Sequence, residues 1–208
     1  MDAVGITRAA VVQASAAYGH DNSYLVDCCH QWPERFVAVA AFDPVAPHAA
    51  SRLERALGDG IVGVRPTVTG ATPAGRRPWF TSRAACEFWC SAEELDVTVC
   101  LQAHLDAAMP ELCALLDRFP TVRVLLDHLG VPNIASSPAA AGELLAGLGR
   151  FPQLFLNLTH RNLEPLRDLD VAAEAFLGPV IEAFGAARIA WGSNCPAAAQ
   201  SLRARTSQ

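Results

Sequence analysis

Ala187-Arg188-Ile189-Ala190-Trp191-Gly192-Ser193-Asn194-Cys195-Pro196 decides how this chain is read. A short apolar strand runs into Trp-Gly-Ser, then Asn194, then a proline that cannot donate to a further ladder. Parallel α/β folds keep their chemistry at the carboxyl ends of their strands. Asn194 stands at such an end. Its side chain has an acceptor oxygen and a donor nitrogen, but no charge and no useful basicity. An aspartate in that place could hold a cation and take a proton from water.

Upstream, the same pattern repeats. Short apolar runs that read as strands lie at Arg8–Gln13, Phe36–Phe42, Ile61–Arg65, Val97–Ala103, Val122–Asp127, Leu154–Leu158 and Arg188–Trp191. Between them, Asn22–Trp32, Ala49–Leu57, Phe80–Leu95, Ala108–Phe119, Ala139–Leu148 and Val171–Phe184 carry apolar residues at helical spacing. Phe119-Pro120 and Phe151-Pro152 place a proline at a helix boundary before a strand. Successive strands begin about 30 residues apart, the length of a β/α unit with its crossover helix. The strands are near-continuous apolar runs, as parallel strands buried on both faces should be. No glycine-rich dinucleotide fingerprint follows the first strand, so a barrel is favoured over a Rossmann fold. The expected fold is α/β, a TIM (β/α)8-type barrel with seven strands recognised and the first strand missing.

Composition narrows the function classes. The chain has 208 residues, 51% of them hydrophobic and 18% charged, which suits one buried core and argues against disorder. A net charge of -5 gives no basic footprint for nucleic acid. No apolar run is long enough to cross a membrane, and Met1-Asp2-Ala3-Val4-Gly5 is not the start of a secretory signal. The 7 cysteines read as reduced thiols of a cytoplasmic protein, and Cys86-x3-Cys90 as small residues one turn apart on a helix. There is no lysine; all 16 basic residues are arginine, which excludes Schiff-base chemistry by a lysine.

The side chains at or just beyond the strand ends are Gln13, Asp43, Arg65, His104, Asp127-His128, Asn157, Thr159-His160 and Asn194. Two histidines among amides, carboxylates and an arginine are the ingredients of a hydrolytic or metal site. Adjacent strand residues point to opposite faces, so His128 is read as the inward residue and Asp127 as unable to orient it. Arg65 could fork a carboxylate. Arg76-Arg77, in a Gly/Pro-rich loop, is read as a solvated pair, Trp191 as core packing, and His160 as a loop residue.

Several segments resemble the amidohydrolase-related (amidohydrolase 2) family of TIM-barrel hydrolases and decarboxylases, which includes pyrone-dicarboxylate lactonases. They are Met1–Ile6 with Val11-Val12-Gln13, Asp21–Leu25, Gly63-Val64-Arg65-Pro66, His104, Leu126-Asp127-His128-Leu129-Gly130, and Phe184-Gly185 through Pro196. The Asp-His-Leu-Gly and Trp-Gly-Ser-x-x-Pro pieces are the most specific. The resemblance implies a metal ligand at His104, a proton-shuttling or water-orienting histidine at His128, and a substrate contact at Arg65. It places Asn194 where the family has a metal-binding or water-activating aspartate. The family's first strand ends in a His-x-His pair; this sequence has none and begins near the family's second strand. The chain is accordingly read as one domain, 1–208, shortened at the N-terminus, with shortening at the C-terminus as a further expectation. The missing strand leaves open edges, a route to homo-oligomers.

The implied activity is hydrolysis of a small carboxylated cyclic substrate, a lactone or amide, weakened by Asn194 and the absent His-x-His. The alternatives are a non-oxidative decarboxylase of the same family, and an inactive barrel fragment serving in binding or assembly. The implied cofactor is a divalent metal, zinc or manganese, with no nucleotide. The expected partner is a small-molecule substrate.

Overall fold

The structure, a computed structural model, describes residues 1–66 and 82–194. The Arg76-Arg77 loop, Cys195 and Pro196 lie outside them. All seven expected strands are present, each within a few residues of its expected bounds. The chain divides into two compact units, Met1–Gln102 with Pro110–Val124, and Ala103–Met109 with Leu125–Gln208.

The first unit contains β1 (Ala9–Val12), α1 (Ser15–Tyr18), α2 (Ser23–Gln31), β2 (Phe36–Phe42), α3 (Ala49–Gly58), β3 (Ile61–Pro66), α4 (Cys86–Glu94) and β4 (Thr98–Leu101). The β1–β2, β2–β3 and β3–β4 ladders are parallel and follow sequence order. Beyond them the Arg123 carbonyl accepts from Val99 N at 2.9 Å. The last five residues of β2 are buried, while three of the four in β1 are exposed. That contrast separates an inner strand, covered on both faces, from an edge strand. Large side chains fill the interior: Leu53, Phe88, Trp89, Leu101, Leu112 and Leu116 are all but fully buried. Phe42 stacks on Phe88 with ring centroids 5.4 Å apart, and Trp89 meets Phe119 at 6.2 Å.

Polar side chains set the turns of this unit. Asn22 copies a strand: its Nδ2 donates to the Ala41 carbonyl at 3.0 Å, and its Oδ1 accepts from Ala41 N at 2.9 Å. The Asp21 carboxylate accepts from Ser23 N and Oγ at the start of α2. Both bonds favour the charged form and hold the Asp21 carboxyl below its ordinary value.

The second unit contains most of β5 (Val124–Asp127), then α6 (Pro138–Ala146), β6 (Leu154–Thr159), α7 (His160–Asp168), α8 (Glu174–Phe184) and β7 (Ile189–Gly192). The helix α5 (Leu105–Arg118) starts in it. Ser137 caps α6, accepting from Ala140 N, with Pro138 in the first helical position. The strand order is β5-β6-β7, with β6 and β7 parallel in the register Leu156↔Ile189 to Thr159↔Gly192. Arg188 ties this unit together. Its Nε donates to the Phe184 carbonyl, Nη1 to Phe151, and Nη2 to both Gly149 and Ala183, at 2.8 to 3.0 Å. Its guanidinium also lies 4.7 Å from the Phe184 ring centroid.

Seven strands alternating with helices among the described residues give the α/β, TIM-type fold expected, one strand short of the eight of a closed barrel. Trp191 departs from expectation: it is 57% exposed on β7 rather than packed in the core. No helix among the described residues is long and apolar enough to cross a membrane.

Candidate functional site

Beyond Asp127, at the end of β5, the chain leaves extended geometry. His128, Leu129, Gly130 and Val131 all have positive φ, between 45° and 71°. Such a run is costly for residues with a Cβ and persists only where the surroundings hold it. Gly130 is required here: a Cβ on it would lie 2.5 Å from Leu105 Cγ, inside contact distance. The turn buries His128 and Leu129, which are 7% and 0% exposed.

A hydrogen-bonded set holds the turn. His128 Nδ1 lies 3.0 Å from Thr159 Oγ1, at the end of β6. Thr159 Oγ1 lies 3.1 Å from Asn162 Oδ1, which also accepts from Thr159 N at 3.0 Å. Asn162 Nδ2 donates to the His128 carbonyl at 2.7 Å. Thr159 and Asn162 are 1% and 3% exposed. They also form the capping box that starts α7.

This corrects one expectation. His160 is not in a loop; it is the first residue of α7, a helix the periodicity did not reveal. The available signal was Thr159-x-x-Asn162, a capping pattern with asparagine in the place usually taken by Glu or Gln. Asn162 is the residue that site reasoning from sequence passed over, while Thr159 was placed at the strand end without a role.

Asp127 and His128 are both buried. Asp127 Oδ1 accepts from Asn157 Nδ2 at 3.1 Å. The Asn157 amide in turn occupies the space where a Cβ on Gly192 would stand, so the Trp-Gly pair has a steric reason for its glycine. Asn194, two residues on, is half-buried with φ 48°, a left-handed position that asparagine and aspartate tolerate better than other residues with a Cβ. His104 precedes α5 as its cap residue, its carbonyl accepting from Ala107 N and Ala108 N at 3.1 and 3.0 Å.

His104, His128 and Asn194 therefore belong to the second unit, whereas Arg65 stands in the first. Arg65 Nη2 donates to Gln102 Oε1 at 3.1 Å. Two other strand-end side chains serve the backbone. Gln13 Nε2 donates to the Asp21 carbonyl at 2.6 Å, and Asp43 Oδ1 accepts from Val45 N at 3.1 Å.

Hydrolytic zinc sites generally use three protein ligands. Among the described residues, no three His, Cys, Asp or Glu side chains gather as such a set. Two imidazoles and a neutral amide do not fit that requirement, so no step below passes through a metal.

A family model described as amidohydrolase matches residues 1–203. A curated relative, L-fucono-1,5-lactonase of Burkholderia ambifaria, is 33% identical over 91 residues. That match takes in 42% of this chain and 31% of the lactonase, so the chain matches about a third of the relative's length. A crystal structure of an amidohydrolase from Burkholderia multivorans with bound zinc superposes with a TM-score of 0.78 at 21% identity, over 99% of this chain and 77% of that one. A Pseudomonas putida protein assigned as a 2-pyrone-4,6-dicarboxylic acid hydrolase superposes with a TM-score of 0.75 at 22% identity, over 98% and 76%. At these identities the structural matches speak for the fold.

Proposed function

Because this chain belongs to the amidohydrolase family over residues 1–203, we propose that it opens the ring of a small carboxylated lactone by hydrolysis. The observation that carries the reading is His128, a buried imidazole at a strand end, held by a hydrogen-bonded set on a left-handed turn. The lactonase name of the 33% identical relative supports the substrate class.

In this reading water attacks the lactone carbonyl carbon. His128 takes a proton from the attacking water and returns it to the ring oxygen as the C–O bond breaks, leaving a hydroxy acid. Asn194 hydrogen-bonds water or carbonyl but takes no proton, so turnover is slow.

The test is a pH-stat assay on 1,4- and 1,5-lactones of sugar acids and on carboxylated lactones, with CO2 release from carboxylated phenols as a parallel arm. Slow ring opening is expected, lost in His128→Gln and raised by about two orders of magnitude in Asn194→Asp. The Asp variant suits the left-handed φ and should fold normally. Absence of ring opening in both the unaltered protein and Asn194→Asp would overturn the reading. So would CO2 release without ring opening, which would favour decarboxylation.

A further inference from the structure

The bonds around Asn162 determine which nitrogen of His128 carries its hydrogen. The Thr159 backbone N–H can only donate, so the Asn162 atom that it meets at 3.0 Å is the amide oxygen. The His128 carbonyl can only accept, so the Asn162 atom 2.7 Å away is the amide nitrogen. The side-chain orientation of Asn162 is thus fixed by two backbone groups. The Thr159 hydroxyl lies 3.1 Å from the same amide oxygen, which has no hydrogen to give. The hydroxyl must therefore be the donor in that bond. Its one hydrogen is then used, and its contact with His128 Nδ1 at 3.0 Å must be one in which it accepts.

We infer that Thr159 and Asn162 are positioning residues that lock His128 as the Nδ1–H tautomer, placing the basic lone pair on Nε2. The opposite tautomer would set a ring lone pair against a hydroxyl oxygen, or turn the hydroxyl away from Asn162. Either leaves a buried group without its bond, in a cluster at most 7% exposed. Losing one buried hydrogen bond biases the equilibrium on the order of tenfold or more. The same Asn162 amide holds the His128 carbonyl, so the residue that fixes the tautomer also holds the left-handed backbone under the ring. Only the use of Nε2 as the base rests on the lactonase reading; the tautomer is inferred from the bonds that meet at Nδ1.

The experiment is a long-range proton–nitrogen correlation spectrum of the His128 ring in the nitrogen-15-labelled protein, at about pH 9, where an ordinary imidazole is neutral. Nδ1 should be protonated and Nε2 not. Thr159→Val, which keeps the shape and loses the hydroxyl, should shift the population toward Nε2–H; Thr159→Ser should restore it. For ring opening, Thr159→Val should lower kcat about tenfold with KM little changed, and Thr159→Ser should recover it. An Nε2–H signal in the unaltered protein would overturn the inference, and that spectrum decides even if the valine variant does not fold. A folded valine variant with an unchanged tautomer would overturn it as well. An Nδ1–H signal in a protein that opens no lactone would refute the reaction and leave the tautomer standing.

Discussion

Replacing Arg188 by methionine should destabilise the chain by about 3 kcal/mol. Four of the five guanidinium N–H groups go to backbone carbonyls, those of Phe184, Phe151, Gly149 and Ala183. Two of those acceptors, Ala183 and Phe184, are the last residues of α8, where a cation also meets the negative end of the helix. The other two lie in and just after the 3-10 turn Gly147–Arg150 that leads into β6. Arg188 itself leads into β7, the strand before Asn194. Hydrogen bonds from a charged donor contribute roughly 1.5 to 3 kcal/mol each when buried. Arg188 is half-buried, so water can replace part of each bond. Taking less than half of the buried value, about 0.7 kcal/mol per bond, gives the total. Methionine keeps the apolar stem, so packing changes little. For a chain of this size the loss corresponds to a fall in Tm of about 10 °C. Lysine should recover about half, since it keeps the charge but lacks the planar fork. Urea unfolding followed by circular dichroism, with equal m-values, measures all three proteins. A methionine variant within roughly 0.5 kcal/mol of the unaltered chain would refute the reasoning, since it would make the four bonds ornamental.

Two further perturbations test the site turn and a helix start. Gly130→Ala adds a Cβ at φ 71° and 2.5 Å from Leu105 Cγ, and should cost about 3 kcal/mol in thermal melts. Combining it with Leu105→Ala should cost less than the sum of the two single changes, and strict additivity would show that the clash is not the cause. Asp21 is held below its ordinary value by Ser23, so its contribution is present at neutral pH and is lost as pH falls below about 4 through its folded value. Asp21→Asn should flatten the fall of Tm between about pH 5 and 3. Parallel profiles for the two proteins would count against that bond.

The elements legible in the sequence were those that bury a continuous or periodic apolar face. The Phe36–Phe42 run was read with the bounds it has, because every residue after Val37 is interior and apolar. The segment that became α7, His160–Asp168, was missed for the opposite reason. It contains Pro165, has leucines only at 163 and 166, and buries Asn162 in place of an apolar anchor. Its helix depends on a cap whose asparagine also serves His128, and no periodicity encodes that double use. Trp191 was misread because a large aromatic in an apolar run suggests a core residue; β7 leaves it 57% exposed.

Local pattern alone determined the parallel α/β order and the family segments. Each depends on residues within one strand or one turn. The tautomer of His128 and the ties of Arg188 were decided only by tertiary structure. Their partners lie 31 residues away at Thr159 and 39 away at Gly149. Hydrogen-bond direction depends on which donor and acceptor folding brings within about 3 Å, and a one-dimensional pattern carries no such distance.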